Sequence, residues 1–135
     1  MTRSAGFSVI EALIAAAVLA TVALGVAQLF AMAVAHNDAA RQQLVMGLAA
    51  AAKIDELSTL VAAGPAETPA DALERTVDGC SDAVVESGRR YVRRWRIAEV
   101  AGYGASAYAI AVRVLPAAGT GADVRLTTIR AGGAP

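Results

Sequence analysis

The sequence predicts an α+β protein in which one long N-terminal helix packs on a small antiparallel β-meander. Three observations support this fold class. Residues 12–35 are almost entirely apolar, residues 37–63 place apolar side chains at roughly helical spacing, and the C-terminal part contains three runs with the two-residue period of strands. A chain of 135 residues has room for one small domain.

The N-terminal apolar segment is long enough to cross a membrane. From Ala12 to Ala35 only Thr21 and Gln28 are polar, and no residue is charged. About 24 residues in a helix cover roughly 36 Å, which exceeds the ~30 Å hydrocarbon core of a bilayer. A secretory signal peptide would have a shorter apolar core, so we expect a retained anchor. Arg3 precedes the span, which favours a cytoplasmic N-terminus.

The helix is expected to continue beyond the membrane as far as residue 63. Gly64 and Pro65 end the pattern, because glycine suits a helix C-terminus and proline prevents continuation. An apolar stripe should face the remainder of the chain, with polar residues such as Lys53 on the other side. The stripe comprises Leu44, Val45, Leu48, Ala52, Leu57 and Val61.

The C-terminal part is expected to hold an acidic loop and three strands. The composition of residues 64–88 predicts the loop. Within it, Thr68–Pro69 favours the start of a short helix. Strands are predicted at Tyr91–Ile97, Ala107–Leu115 and Val124–Ile129, and their short glycine-containing links favour an antiparallel meander. One face of the sheet should pack on the helix and the other should face outward. The side chains expected to share one face within each strand are Tyr91, Trp95 and Ile97, and Tyr108, Ile110, Val112 and Val114.

Charge is distributed unevenly along a chain of zero formal net charge. Residues 37–86 contain three basic and nine acidic residues, whereas residues 87–135 contain eight arginines and two acids. This asymmetry predicts pairing within or between chains. The single cysteine, Cys80, cannot form a disulfide within the chain, and we interpret it as a small incidental residue.

One carboxylate, Glu11, stands at the edge of the apolar segment. An ionised side chain in a membrane helix costs roughly 2.5–3.5 kcal/mol on insertion scales, so it normally has a partner. No base follows it within the apolar run. A local role is also available, because Ser8 and Glu11 have the spacing of a capping box.

The stretch GFSVIE, Gly6 to Glu11, directly before a full membrane span, resembles the class III signal peptide of type IV pilins and type II secretion pseudopilins. The resemblance implies that a prepilin peptidase cleaves between Gly6 and Phe7 and methylates the new amino terminus at Phe7. It also implies that Glu11 attracts the amino terminus of a neighbouring subunit during assembly. A carboxylate and an ammonium on adjacent helices would satisfy one another in a low-dielectric bundle.

The patterns and the resemblance together divide the chain into four parts. We expect a leader peptide at 1–6, a transmembrane and assembly helix at 7–36, and an amphipathic continuation at 37–63. Residues 64–135 should form a small head with the acidic loop and a three-stranded sheet. This helix-plus-meander arrangement is similar to the pilin fold.

Departures from the family's pattern favour a minor subunit over the main building block. Major pilins commonly carry a proline in the membrane helix and a C-terminal cysteine pair, and this sequence has neither. The chain most resembles minor pilins of the pilus-modification type. The implied function is a structural subunit that helps initiate or cap a type IV pilus, with a minor pseudopilin of a type II secretion system as the alternative. The implied location is the bacterial inner membrane with a periplasmic head, and then the filament. The implied partners are other pilin or pseudopilin subunits and the prepilin peptidase.

The sequence bears on two further function classes, a nucleic-acid receptor and an enzyme. A basic surface formed by Arg89, Arg90, Arg93, Arg94 and Arg96, interleaved with Tyr91 and Trp95, would suit DNA binding during DNA uptake. The neutral chain and the nearby acidic segment favour pairing of these arginines with acids instead, so nucleic acid is not the expected partner. The sequence shows no nucleophile–base pair, metal-ligand spacing or phosphate loop, so we expect neither an enzyme nor a cofactor or metal.

Overall fold

The computed structural model describes residues 8–63, 67–101, 107–119 and 121–131. Within them lie helix α1 (Val9–Val61) and strands β1 (Ser81–Glu86), β2 (Arg89–Glu99), β3 (Ala107–Pro116) and β4 (Val124–Ala131). The chain divides into two units, unit 1 (Met1–Ala40) and unit 2 (Arg41–Pro135). The predicted α+β layout, a long helix packed on an antiparallel sheet, is confirmed.

Helix α1 follows from a composition rich in alanine and leucine and free of proline. Its first backbone hydrogen bond runs from Ala12 N to Ser8 O, at 3.1 Å, which puts Ser8 at the N-cap position. Glu11 lies in the first turn, where an acid suits the helix dipole. The helix ends at Val61, and the predicted terminator Gly64–Pro65 lies outside the described residues.

The sheet is an antiparallel meander in the order β1-β2-β3-β4. The prediction of three strands is therefore wrong, because β1 falls inside the segment that was expected to be an acidic loop. This strand is short, lies at the sheet edge and has acids near both ends, so its alternation is weak in the sequence. Ser87 and Gly88, with φ of 51° and 75°, connect it to β2 in a tight turn of the kind that pairs adjacent strands.

The short helix predicted from Thr68 is replaced by hydrogen-bonded turns at 70–74. Ala72 N donates to Pro69 O, and Arg75 N donates to Asp71 O. Thr68 instead extends the sheet edge. Its backbone N donates to Ile97 O at 3.1 Å, and its hydroxyl oxygen accepts from Ile97 N at 2.8 Å.

The core lies between one face of the sheet and one face of α1. The strand side chains predicted to share a face are confirmed: Tyr91, Trp95, Ile97, Ile110, Val112 and Val114 are buried, and Tyr108 packs against them. The helix contributes Met46, Ala50, Ile54, Leu57 and Val61 to the same cluster. Ala50 and Val61 are both completely buried, so the helix face that meets the sheet includes a small side chain as well as large ones.

The predicted helix stripe is right at its C-terminal end and wrong at its N-terminal end. Leu57 and Val61 are buried, and Val45 is partly buried against the core. Leu44 and Leu48, in contrast, are 64% and 63% exposed, and Ala52 is also exposed. The physical reason is that this part of the helix is apolar on two sides. The spacing in the sequence does not distinguish the side that meets the sheet from the side that does not.

Candidate functional site

The N-terminal part of α1 exposes its large apolar side chains without interruption. From Val9 to Val34 every large aliphatic or aromatic side chain is at least 46% exposed in this chain by itself. The helix is long enough and apolar enough here to cross a membrane. Thr21, one of its two uncharged polar side chains, donates its hydroxyl hydrogen to Ala17 O at 2.8 Å. The hydroxyl is thus satisfied within the helix, as a lipid environment requires.

Glu11 is exposed in the first turn of this segment. It is the only charged residue between Ser8 and Ala35, so no cation of the same segment can neutralise it. Gly6 and Phe7, the residues of the expected cleavage and methylation, lie outside the described residues. The arrangement therefore leaves an acid on an otherwise apolar helix, near the position where cleavage would create an ammonium group.

A second exposed apolar surface lies on α1 within unit 2. Leu44 and Leu48 are one helical turn apart and face away from the core that Met46 and Ala50 enter. We call this pair the outer stripe. It does not contribute to the core of unit 2, and within the described residues both side chains remain exposed to an apolar partner.

The five arginines of β2 do not form one surface. Side chains alternate along a strand, so Arg93 shares the helix-facing side with Tyr91 and Trp95. Its guanidinium forms a bidentate ion pair with the carboxylate of Asp82, its cross-strand neighbour on β1. Nε donates to Oδ1 and Nη2 donates to Oδ2, both at 2.7 Å. Arg89 also already interacts with another residue.

Arg94 and Arg96 belong to the opposite side of the sheet, which is partly covered. We call residues 67–80 the strap. Arg94 donates from Nη1 to Glu74 O at 2.5 Å and from Nη2 to Thr76 Oγ1 at 3.3 Å. Arg113, directly opposite Arg94 on β3, donates from Nη1 to Leu73 O at 3.3 Å.

The strap is anchored by apolar burial as well as by these hydrogen bonds. Ala72 and Leu73 are 0% and 1% exposed. The expectation that the second face of the sheet faces outward is therefore wrong over the strap. The Nε atoms of Arg94 and Arg96 are buried and have no hydrogen-bond partner within the described residues. Arg94 and Arg96 are partly buried, whereas Arg90 is exposed, and neither the Arg90 nor the Arg96 side chain makes a hydrogen bond or ion pair within the described part of the chain.

A charged cluster that the sequence did not reveal joins α1 to β1 and β2. Lys53, expected to be exposed, is 5% exposed. Its Nζ lies 2.8 Å from Glu56 Oε1, 3.4 Å from Asp82 Oδ2 and 4.0 Å from the centre of the Trp95 ring. Burial tends to raise the pKa of Asp82, but the hydrogen bond from Arg93 and the charges of Arg93 and Lys53 outweigh it, so that pKa lies below its ordinary value. The cluster holds the edge strand to the helix.

The single cysteine and the possible metal ligands are described next. Cys80 is buried, and its backbone carbonyl accepts a hydrogen bond from Trp95 N at 3.0 Å, so it serves the packing of the strap. Among the residues that the structure describes, no group of three or more histidine, cysteine or acidic side chains is arranged to hold a metal ion.

The chain matches no protein family, no curated protein and no solved structure at a significant level.

Proposed function

We propose that this protein is a membrane-anchored structural subunit of a pilus-like filament, and specifically a minor pilin that helps initiate or cap a type IV pilus. One observation carries the proposal. Helix α1 exposes all its large apolar side chains from Val9 to Val34 and contributes to a folded core from Met46 onward. Such a helix needs two apolar surroundings in turn, a lipid bilayer before assembly and neighbouring helices afterwards.

Glu11 favours a filament subunit over a simple membrane anchor. A simple anchor gains nothing from a carboxylate at the edge of its span, because insertion is easier without the charge. A subunit that pairs with the amino terminus of a neighbour gains a partner for both charges in the assembled bundle. The outer stripe of Leu44 and Leu48 adds an apolar contact beyond the span, on the side of the helix that unit 2 leaves uncovered.

The alternative, a minor pseudopilin of a type II secretion system, rests on the same helix and the same acid. Deletion of the gene in its native host distinguishes the two. Loss of surface pili with normal protein secretion supports the pilin, whereas loss of secretion with normal pili supports the pseudopilin. DNA reception is a weaker candidate, because Arg93 and Arg94 are already bonded within the chain.

The proposal is tested by replacing Glu11 with glutamine, which keeps the side chain's size but removes its charge. We expect normal cleavage and membrane insertion but loss of incorporation into sheared filament fractions. The ammonium of the neighbour would be buried without a counter-ion. Glu74→Gln removes an equivalent charge from the exposed strap and serves as the control. Equal incorporation of wild type and Glu11→Gln, at matched membrane levels, would reduce Glu11 to a local helix-capping residue.

A further inference from the structure

The sheet of unit 2 ends in two edge strands. Strand β1 forms one edge and β4 the other, and each is hydrogen-bonded to a single neighbouring strand. Among the residues that the structure describes, no backbone hydrogen bond reaches the outward side of either strand. Both edges therefore present a row of N–H and C=O groups that a further strand could bind.

The register shows which residues carry the outward backbone groups. Along a strand these groups point alternately to its two sides. Trp95 N donates to Cys80 O, so every second residue from Cys80 is directed at β2, and the outward residues of β1 are Ser81, Ala83 and Val85. Val100 N donates to Ala107 O across β2 and β3. Counted on through β3, the outward residues of β4 are Arg125, Thr127, Ile129 and Ala131.

The two edge strands carry charges of opposite sign. Strand β1 contains two acids and no base, whereas β4 contains two arginines and no acid. We call the face of the sheet that packs on α1 the helix side and the opposite face the strap side. Arg130 lies on the helix side, because it is directly opposite Tyr108. The acids Asp82 and Glu86 lie on the helix side of β1, since Asp82 is directly opposite Arg93.

Arg130 restricts which strand can pair with β4. A charge on the packed side of an edge strand opposes pairing with any strand that brings no opposite charge to that side. A second strand with arginines there would be repelled, because like charges directly opposite one another are destabilising. The partner that fits β4 is therefore a strand with an acid on its helix side.

Exposed apolar side chains occur at both edges as well. Of the large hydrophobic side chains in the described strands, only Val85 and Ile129 are exposed, at 63% and 55%. One belongs to β1 and the other to β4, and both lie on the strap side of the sheet. Each would lose apolar surface to water less if a strand were added at its own edge.

We propose that β4 of one chain pairs in antiparallel fashion with β1 of a second copy of this chain. Within one chain β1 and β4 already run in opposite directions, so the second copy continues the meander with its helix side on the same face. This pairing matches the charges, whereas β4 against β4 opposes arginines and β1 against β1 opposes acids. The contact is heterologous and leaves one free edge at each end, so it can recur. The inference concerns unit 2 and does not depend on the function proposed above.

One register satisfies the backbone, charge and apolar conditions together. When Asp82 lies opposite Arg130, the whole of β1 falls against residues 126–131 of β4. Asp82 and Arg130 then form one of the closer, non-hydrogen-bonded pairs, and Val85 and Ile129 become diagonal neighbours within reach of each other. The pairs that exchange backbone hydrogen bonds are Ser81 with Ala131, Ala83 with Ile129, and Val85 with Thr127.

Asp82 has room for this additional cation. It already pairs with Arg93 and Lys53, but its side chain is 32% exposed. A carboxylate offers about four acceptor positions on its two oxygens. Arg93 approaches from β2, whereas Arg130 of the other copy would approach from the open edge, so the two guanidinium groups do not compete for one position.

The test uses the full chain in neutral detergent micelles and measures disulfide formation between two variants. Both carry Cys80→Ala, so each retains only its introduced cysteine. One carries Ala83→Cys and the other Ile129→Cys, exposed positions that the register places about 5.5 Å apart between Cα atoms, a distance that suits a disulfide. We expect mild oxidation of the mixture to give cross-linked dimers, and neither variant alone to do so. Arg125→Cys in place of Ile129→Cys, roughly 14 Å further along β4, should not cross-link.

A proline tests whether the contact uses the backbone of β4. Thr127 N–H points to the open edge, so Thr127→Pro, added to the Ile129→Cys chain, removes an outward donor without breaking a bond to β3. We expect the yield of cross-linked dimer to fall about tenfold. Thr127→Val retains the N–H and is the matched control, with an unchanged yield. Trp95 emission during urea unfolding should show the same midpoint in both variants, which establishes that unit 2 remains folded.

A charge reversal tests the selection of the partner. Arg130→Glu places an acid opposite Asp82 of the second copy, so the yield should fall about tenfold as attraction becomes repulsion. Arg125→Glu makes the same change in the same strand but on the strap side and beyond the end of the neighbouring β1, so the yield should be unchanged.

Each contrary result overturns the proposal. Efficient cross-linking of Ile129→Cys or of Ala83→Cys with itself would replace it with pairing between like edges. Equal yields for Thr127→Pro and Thr127→Val, or for Arg130→Glu and Arg125→Glu, would show that the chains associate through another surface. Absence of cross-linking in every mixture would leave the two edges to strands of other proteins.

Discussion

Replacement of Asp82 by asparagine should destabilise unit 2 by about 2 kcal/mol. Asp82 accepts two charge-assisted hydrogen bonds of 2.7 Å from Arg93 and lies 3.4 Å from the buried Lys53 Nζ. Hydrogen bonds to charged groups contribute roughly 1.5–3 kcal/mol each when buried. The side chain of Asp82 is 32% exposed, which weakens the pair, and asparagine retains one acceptor oxygen. These two corrections reduce the expected loss of unfolding free energy to about 2 kcal/mol.

The assay is urea unfolding of the full chain in nonionic micelles. Trp95, the only tryptophan, is 8% exposed in the core, so its emission reports the unfolding of unit 2. With a denaturant slope of about 2 kcal/mol per molar urea, the midpoint should fall by about 1 M. Asp71→Asn is the matched control. It makes the same change in an exposed pair with Arg75 on the strap, so the midpoint should hardly move.

The reasoning would be refuted if Asp82→Asn and Asp71→Asn shifted the midpoint equally. A double-mutant cycle with Lys53→Met sharpens the test. If Lys53 and Asp82 interact across the 3.4 Å contact, the two substitutions should be non-additive by about 1 kcal/mol. Strict additivity would mean that Asp82 acts through Arg93 alone and that the helix is not part of the cluster.

Three further predictions concern processing, pH and nucleic acid. Mass spectrometry of the mature protein should find a methylated N-terminus at Phe7, and Gly6→Ala should block that cleavage; an intact start in a host with active peptidase would contradict this. The lowered pKa of Asp82 means that its stabilisation is complete above the unfolded pKa of about 3.9 and is lost as pH falls through the lower folded value. The wild-type urea midpoint should therefore fall more than that of Asp82→Asn between about pH 5 and pH 2.5. The full chain should bind DNA weakly at physiological salt, and Arg94→Ala together with Arg96→Ala should not change the salt slope; a steep slope that these substitutions reduce would favour the DNA receptor.

The predicted strand faces were confirmed where alternation was long enough to be read. In β3 every second residue from Tyr108 to Val114 is large and apolar, in β2 only Arg93 interrupts the series Tyr91, Trp95 and Ile97, and these apolar side chains lie in or against the core. Strand β1 could not be predicted in the same way. Only Ala83, Val84 and Val85 are apolar in it, and it is a strand because the Ser87–Gly88 turn brings it beside β2.

One candidate surface could be predicted from the sequence and another could not. The exposed N-terminal helix could be predicted from composition, because a run of uncharged apolar residues needs an apolar surrounding whatever the remainder of the chain does. The hydrogen-bond partners and the burial of the β2 arginines could not be predicted from the sequence. Alternation separates Arg93 from Arg94, but it does not reveal that Asp82 lies opposite the first or that the strap covers the second.

The sequence by itself determined the long helix, its lipid-soluble segment and the apolar faces of β2 and β3, because each depends on a local period or on composition. Only the tertiary structure decided which side of the helix meets the sheet. Apolar residues line both sides of that stretch, and the sheet packs on the side of Met46 and Ala50, leaving Leu44 and Leu48 exposed. The tertiary structure also decided the pairing of the charges, because Lys53 and Asp82 are far apart in the chain and meet through the register of β1 against β2.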